Sequence, residues 1–426
     1  MKFVTIVLPV TIALALDTLF YAGSGRKRIF DSIFQKIDDS RQEAEWLALR
    51  RSLKPGDVTI LEYGGSVQGA ESFLQDPAGG VYTGLIDGRI VKLLNDDEYV
   101  DIACLGLQFL DPVAAAAGPD KTLLVVDVFR GLLKVPVPLA PDGRPLRDPS
   151  HFDVLLSEAD GQRFYFANAL LKHDDCVYFT DSSRTNNFGT KGRIILEPES
   201  TGRLIEFNLR TKRANVLLEG LDFPNGLAFS PNRQAILMAE TKLRSIKKVH
   251  IAGPRKGEVE EWARDLPFTP DNITELPNGL GYIVGSAFMR KLPSAREASN
   301  STALRILRAL HRRVSNYIVF NHRKTVGRIL YPLTEVELLS HIVDWLLTRM
   351  GAAGHLFLLD ETGKVRRWIA LPSKCSAVSE GFLASWDKVV PEGHTPLSKD
   401  THFLLVGSFT KSAICKVPLG ALLDPK

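Results

Sequence analysis

The chain has 426 residues, 45% of them hydrophobic and 24% charged, which is an ordinary globular composition that allows a large core. The formal net charge of +4 is too small to predict a nucleic-acid partner. The four cysteines form no CxxC pair and lack zinc-site spacing, which argues against a cysteine-rich zinc module. Disulfides and buried thiols both stay open, although the apolar runs around Cys176 and Cys415 favour burial as free thiols for those two.

The segment from residue 3 to 22, FVTIVLPVTIALALDTLFYA, is mainly apolar and long enough to span a bilayer as a helix. Asp17 opposes its insertion by ~2.5 kcal/mol, and Ala-Leu-Ala at residues 13–15 resembles a signal-peptidase site. Residues 1–24 therefore have two interpretations, a signal anchor or a cleaved signal peptide. Both predict the secretory pathway: a single-pass protein of the endoplasmic reticulum or plasma membrane, or a secreted protein after cleavage.

A polar, helical linker is predicted over residues 25–55. From residue 56 to 426, short apolar runs broken by Gly, Asp and Asn recur in units of roughly 40 to 50 residues, which is typical of a propeller or another repeat fold. The units begin near Glu71, Gly106, Asn168, Asn225, Asp271 and Ser379. Six units predict an all-β fold, a six-bladed β-propeller. Five or seven blades stay open because the third and fifth units carry long insertions.

An insertion over about residues 287–350 breaks the repeat and is rich in arginine. Its apolar residues Leu304, Leu307, Leu310 and Val314 share one helical face, with arginines between them. A basic amphipathic helix predicts contact of residues 290–328 with an anionic membrane surface. The alternative is a helical cap whose arginines are simply solvated. Asn300-Ser301-Thr302 is a glycosylation sequon, so Asn300 is a predicted modification site.

Polar residues recur where successive units begin. They are Glu71, Asn168, Asn225, Asp271 and Asn272. Corresponding strand ends meet beside the axis of a propeller, so we expect these side chains to converge. Oxygen-only ligands with two carboxylates suit Ca²⁺ better than zinc. Each residue taken singly could instead form a turn or bond to the backbone, but the repetition favours a metal site. Ser182 and Ser183 do not belong to a nucleophile-elbow motif, so we expect them to form a turn of the blade.

Seven stretches of the repeat region resemble the strictosidine-synthase-like family of calcium-dependent phosphotriesterase-type propellers. They are GAESF, YTGLIDGRIVKL, LLVVDVFRGLLKV, VYFTDSS, TGRLIEFNL, FPNGLAFSPNRQAILMAET and LPFTPDNITELPNGLGYIVG. The resemblance extends from about residue 60 to the C-terminus, apart from the basic insertion. It implies a six-bladed propeller, one N-terminal membrane segment and arylesterase-like hydrolase activity.

The resemblance also implies that the five polar residues above hold a catalytic calcium. Ser72 and Ala169 stand where related enzymes have the acidic ligands of a second calcium, so a single ion is expected. Leu105 and Asp127-Val128 occupy the places of the histidine dyad of those enzymes. A histidine base is therefore not expected here.

The leading hypothesis is a membrane-associated, calcium-dependent hydrolase of small aryl-type esters, with Glu380 or Asp127 as the base. Two alternatives stay open. One is a non-enzymatic membrane receptor or scaffold with a structural calcium. The other is a condensing enzyme of the strictosidine synthase type, which would not need the metal.

Overall fold

The computed structural model describes residues 45–76, 79–105, 112–117, 122–137, 152–187, 194, 199–286, 354–386, 397–398, 401–409 and 411–423. Their strands form six mainly antiparallel sheets arranged as the blades of a β-propeller, which confirms the predicted fold class and blade number. The first strands of neighbouring blades pack against each other and line the centre of the ring. Among the described residues, no helix has the length and hydropathy needed to cross a membrane.

Two short strands precede the first blade: β1 (Arg50–Ser52) and β2 (Thr59–Leu61). Blade 1 consists of β3 (Phe73–Gln75), β4 (Val81–Gly84), β5 (Arg89–Leu93) and β6 (Tyr99–Cys104). Blade 2 consists of β7 (Pro112–Ala117), β8 (Thr122–Asp127), β9 (Gly131–Pro136) and β10 (Asp153–Leu156). A small hairpin follows, formed by β11 (Glu158–Ala159) and β12 (Gln162–Arg163).

Blade 3 consists of β13 (Ala167–His173), β14 (Cys176–Asp181), β15 (Gly202–Asn208) and β16 (Ala214–Leu221). Blade 4 consists of β17 (Pro224–Phe229), β18 (Ala235–Glu240), β19 (Ser245–His250) and β20 (Val259–Ala263). Blade 5 consists of β21 (Ile273–Leu276), β22 (Gly281–Ser286), β23 (His355–Leu359) and β24 (Val365–Ala370). Blade 6 begins with β25 (Val378–Ala384), β26 (Phe403–Ser408) and β27 (Ile414–Pro418).

An apolar cluster fills each of the six gaps between neighbouring blades. The second strand of each blade packs on both faces, and this explains why strands such as β18 (AILMAE) read as continuous apolar runs. Full burial of one Leu or Ile side chain stabilises the fold by about 1.5–3 kcal/mol. The blades are therefore held together chiefly by packing, and the polar centre must be accommodated within that frame.

The ring is closed by the N-terminal segment, since β2 is the fourth strand of blade 6. Ile60 pairs with Cys415 of β27, and β1 adds a parallel fifth strand to β24 of blade 5. Cys415 forms a disulfide with Cys375, so the interpretation of Cys415 as a free buried thiol is wrong. Cys104 and Cys176 are free and partly buried.

Several predicted features lie outside the described residues: the segment 1–24, most of the linker, the start at Gly106, Asn300 and the basic insertion. The described strands that flank the insertion still locate it. Ser286 and His355 are register partners in adjacent strands. Both residues lie at the end of blade 5 where β21 begins.

Candidate metal centre

The five predicted ligands lie at the inner-strand starts of four blades. Asn168 and Asn225 are the second residues of β13 and β17, whereas Asp271 and Asn272 directly precede β21 and Glu71 precedes β3. All five are buried, with between 3% and 7% of their surface exposed. Two carboxylates and three amides at such depth require partners, because an unpaired buried polar group costs ~1–3 kcal/mol.

Backbone and side-chain hydrogen bonds tie these starts to one another around the ring. The Asn225 amide donates to Asp271 Oδ1. The Asn272 N–H donates to the Ser379 carbonyl over 3.0 Å, and the Ser379 hydroxyl donates to the Glu71 carbonyl over 3.1 Å. The first strands of blades 4, 5, 6 and 1 are thus linked in order. Asn168 of blade 3 joins them through Ser182, whose hydroxyl donates to the carbonyl of Pro224 in blade 4. The predicted ligands therefore belong to one connected hydrogen-bond network.

Two amide oxygens in this centre accept no hydrogen bond within the described part of the chain. They are Asn168 Oδ1 and Asn225 Oδ1, and both atoms are inaccessible to solvent. The amide nitrogens of the same side chains are bonded, to Ser182 and to Thr241 respectively. Buried carbonyl oxygens left open in this way, in a network that also contains the carboxylates of Glu71 and Asp271, are a donor set that suits a hard cation such as Ca²⁺.

Among the described residues, no three His, Cys, Asp or Glu side chains are grouped as a metal site would require. Among the five predicted ligands, Glu71 and Asp271 are the acids, and the other three would offer amide oxygens. A divalent cation would neutralise those two charges. The residues present therefore fit one calcium ion, while Ser72 and Ala169 add no further carboxylate.

Glu380 lies in β25, between the strands that carry the ligands of blades 1 and 5. Its Oε2 accepts the Phe73 N–H over 2.9 Å, and its Oε1 accepts the Thr274 hydroxyl over 2.9 Å. Burial raises the pKa of this carboxyl to about 7, and the two hydrogen bonds oppose that rise. A buried carboxyl with a pKa near neutrality is suited to exchanging a proton at physiological pH.

Asp127 has a different environment, at the end of β8. Its Oδ1 accepts the N–H groups of Phe129 and Arg130 over 2.9 and 2.8 Å, and its Oδ2 lies 3.5 Å from the Arg130 guanidinium. The second strands of blades 3 and 4 also end in buried acids. Asp181 Oδ1 accepts a backbone N–H, as does Glu240 Oε1. Asp127 thus shares its position with two buried acids that accept backbone N–H groups.

An apolar cluster lies on the face of the propeller where the first strands begin. Its members lie just outside strand ends of several blades or in the segment after β14; they are Ile86, Val128, Phe129, Phe166, Ile194, Phe223 and Phe409. Phe166 and Phe223 meet edge to face, with ring centroids 5.6 Å apart. Sequence reasoning missed this cluster. The available signal was an apolar residue just outside the repeated strand.

The hydroxyls of Ser182 and Thr241 were also missed as parts of the centre. Both directly follow the acid that ends the second strand of their blade, in TDSS and in AETK. Ser182 was predicted to form a turn, and its contact with Asn168 becomes visible only when the strands are paired. A hydroxyl repeated after an acid in two consecutive units was the signal that could have found them.

The sequence profile of the strictosidine synthase family matches residues 169–254. The adipocyte plasma membrane-associated protein of Homo sapiens is 34% identical over 357 residues, covering 80% of this chain and 73% of that protein. Its Mus musculus counterpart is 35% identical over 228 residues, covering 50% of this chain and 52% of that protein. The chain thus spans about half the length of the first curated relatives that it matches.

A solved gluconolactonase from Xanthomonas campestris superimposes with a TM-score of 0.50 over 90% of this chain and 94% of that one. At 14% sequence identity this likeness shows the propeller fold alone. The match to the human protein covers most of both chains. The chain therefore belongs to the family of the adipocyte plasma membrane-associated proteins and the strictosidine synthase-like proteins.

Proposed function

We propose that the chain is a calcium-dependent hydrolase of small aryl-type esters. The observation that carries the proposal is the pair of buried amide oxygens, Asn168 Oδ1 and Asn225 Oδ1, which accept no hydrogen bond in the described structure. Together with Glu71, Asp271 and Asn272, they supply the oxygen donors that one calcium ion needs. When bound, the ion would polarise an ester oxygen as a Lewis acid.

The chain's own residues would supply the rest of the chemistry. The apolar cluster with Phe166 and Phe223 would bind the aryl group and exclude water, since aromatic side chains pack edge to face with other rings. Glu380 would accept the proton of the attacking water because its raised pKa leaves it ready to do so near neutral pH. Asp127 is the weaker candidate because its carboxylate holds the turn after β8 and lies beside the Arg130 guanidinium, which favours the charged form.

The test is hydrolysis of phenyl acetate by the purified full chain, with and without EDTA, together with calcium titration. We expect EDTA to abolish turnover and added Ca²⁺ to restore it. Asn225→Ala should weaken calcium binding and turnover by about tenfold or more. Asn215→Ala is the matched control, because Asn215 is exposed on β16 and bonds only to Glu206 among the described residues.

The outcomes separate the alternatives. A folded protein that binds calcium but hydrolyses no ester would overturn the enzymatic proposal in favour of a receptor or scaffold with a structural ion. Turnover that survives EDTA would overturn the role of the metal. Attached glycan at Asn272, within the sequon DNIT, would exclude that residue as an inward ligand.

We further propose that the chain is held at a membrane through residues 3–22 and through the basic insertion 290–328. The names of the relatives support a membrane or secretory location. Alkaline carbonate extraction of cells expressing the full chain checks this: an anchored protein should stay with the membranes. Recovery of the protein from the medium, with residues 1–24 absent, would show a cleaved signal peptide instead. Loss of a glycosidase-sensitive mass in Asn300→Gln would test the predicted glycan.

A further inference from the structure

Two hydroxyl groups connect the candidate ligands in the same way in consecutive blades. In blade 3, Asn168 Nδ2 donates to Ser182 Oγ over 3.0 Å, and Ser182 Oγ donates to the Pro224 carbonyl over 2.6 Å. Pro224 directly precedes Asn225, the ligand of the next blade. All of these groups are buried, so water does not compete for the bonds.

Blade 4 repeats the arrangement. Asn225 Nδ2 lies 3.4 Å from Thr241 Oγ1, which donates to the Pro270 carbonyl over 2.7 Å. Pro270 directly precedes Asp271, again the ligand of the next blade. Ser182 and Thr241 hold equivalent positions, each directly after the last residue of the second strand of its blade.

The direction of these bonds selects the orientation of each amide. A hydroxyl has one proton, and in both cases a backbone carbonyl takes it. The oxygen then presents only lone pairs to the asparagine, so the NH₂ group can bond to it and the amide oxygen cannot. Rotation of the amide by 180° would place two acceptors against each other at a cost of ~1–3 kcal/mol. The amide oxygen is therefore kept turned away from the hydroxyl.

From this geometry we infer that Ser182 and Thr241 are positioning residues, which orient Asn168 and Asn225 so that their Oδ1 atoms are presented to the metal. The inference rests on the calcium site proposed above. It extends that site to a second layer of residues, of the kind that commonly orients metal ligands. Each hydroxyl also fixes the backbone just before the next ligand, so the two residues act on three blades.

The hydrogen bond between the amide and the hydroxyl is not equally strong at the two positions. Asn225 Nδ2 also donates to Asp271, and its contact with Thr241 is the longer one. Asn168 Nδ2 donates only to Ser182 among the described residues. Loss of the Ser182 hydroxyl should therefore disturb the site more than loss of the Thr241 hydroxyl.

The experiment compares Ser182→Ala, Thr241→Val and Thr241→Ser in the full chain, with calcium affinity measured by calorimetry and melting temperature measured with and without Ca²⁺. We expect Ser182→Ala to weaken calcium binding about 10-fold to 100-fold, and Thr241→Val to weaken it less. Thr241→Ser keeps the hydroxyl and should bind like the wild type. Ser230→Ala is the matched control, because Ser230 is a buried serine at the other end of β17.

A purely structural role would lower the melting temperature equally with and without calcium, and it would leave calcium affinity unchanged. That result for both Ser182→Ala and Thr241→Val would overturn the inference while leaving the calcium site standing. A wild-type chain that binds no calcium would overturn the proposed function and this inference together. If Ser182→Ala does not fold, the calcium affinities of Thr241→Val and Thr241→Ser still test the inference.

Discussion

Near the polar centre, Glu380 is the residue whose pKa folding changes most clearly. Burial raises its pKa from 4.5 to about 7, so between these values the folded chain holds a proton that the unfolded chain has lost. The contribution of this proton to stability is complete below about pH 4.5 and is lost as the pH rises through about 7. The effect is on the order of 3 kcal/mol.

Glu380→Gln stays neutral at every pH and can keep both hydrogen bonds, with its carbonyl facing the Phe73 N–H and its NH₂ facing the Thr274 hydroxyl. We expect the variant to gain stability relative to the wild type between pH 5 and pH 8, as measured by urea unfolding without calcium. Ester turnover should rise through about pH 7 in the wild type and be lost in the variant. Glu45→Gln, at an exposed acid, is the control. Parallel stability profiles for Glu380→Gln and the wild type would contradict the assignment.

Single residues were predictable only where the repeat revealed them. Asn168 and Asn225 could be matched because FANAL and FPNGL occupy the same place in consecutive units. Glu380 could likewise be placed at the start of its repeat unit. Its two hydrogen-bond partners could not be predicted, because they belong to other blades and lie 307 and 106 residues away in the sequence. Contacts between residues so far apart leave no local sequence pattern from which they could be predicted. The disulfide between Cys375 and Cys415 was unpredictable for the same reason.

At the scale of elements, blades 4 and 5 approach closely where Gly226 of β17 faces the start of β21. A Cβ atom on Gly226 would lie 2.6 Å from the Asp271 carbonyl oxygen and 2.7 Å from the Ile273 nitrogen. Both are backbone atoms that no side-chain rotation can move. The glycine thus allows β17 to bring Asn225 against the ligands of the next blade.

Gly226→Ala should destabilise the chain by about 1–3 kcal/mol and weaken calcium binding, because the first strands of two blades must separate. Thermal unfolding and calcium titration of the variant measure the two effects. Gly56→Ala is the control, since a Cβ there would meet no atom within 4 Å. A Gly226→Ala protein with unchanged stability and calcium affinity would show that the two strands separate without cost.

The apolar strands of the blades were predictable because each unit repeats a strand, a turn and a second strand. The strands β1 and β2 were not, because each has only three residues and neither resembles the repeat. Their pairing depends on the open edges of β24 and β27, which exist only once the other strands of blades 5 and 6 have paired. The linker predicted over residues 25–55 thus ends in a strand of blade 5.

At the scale of the whole molecule, the disulfide between Cys375 and Cys415 links the segment before β25 to β27 of the last blade. The strand β2 pairs with the same β27. Cross-linking two residues separated by 40 positions is expected to stabilise the fold by about 2–4 kcal/mol. Cys375→Ala with Cys415→Ala should lower the melting temperature, as should reduction of the wild type. Cys104→Ser and Cys176→Ser are controls because both thiols are free. Thiol titration of the unfolded, unreduced chain should find two reactive groups, and finding four would contradict the pairing.

Because β2 completes blade 6, the strands of the ring must also pair in a particular order during translation. The ribosome makes residues 59–61 before any blade exists, yet their partner strand lies at residues 414–418. The earliest strands of the ring must therefore wait, unpaired, while more than 350 residues are added (from Leu61 to Ile414). Blades 1 to 4 can fold one after another as they emerge. The ring itself closes only after translation of the last blade.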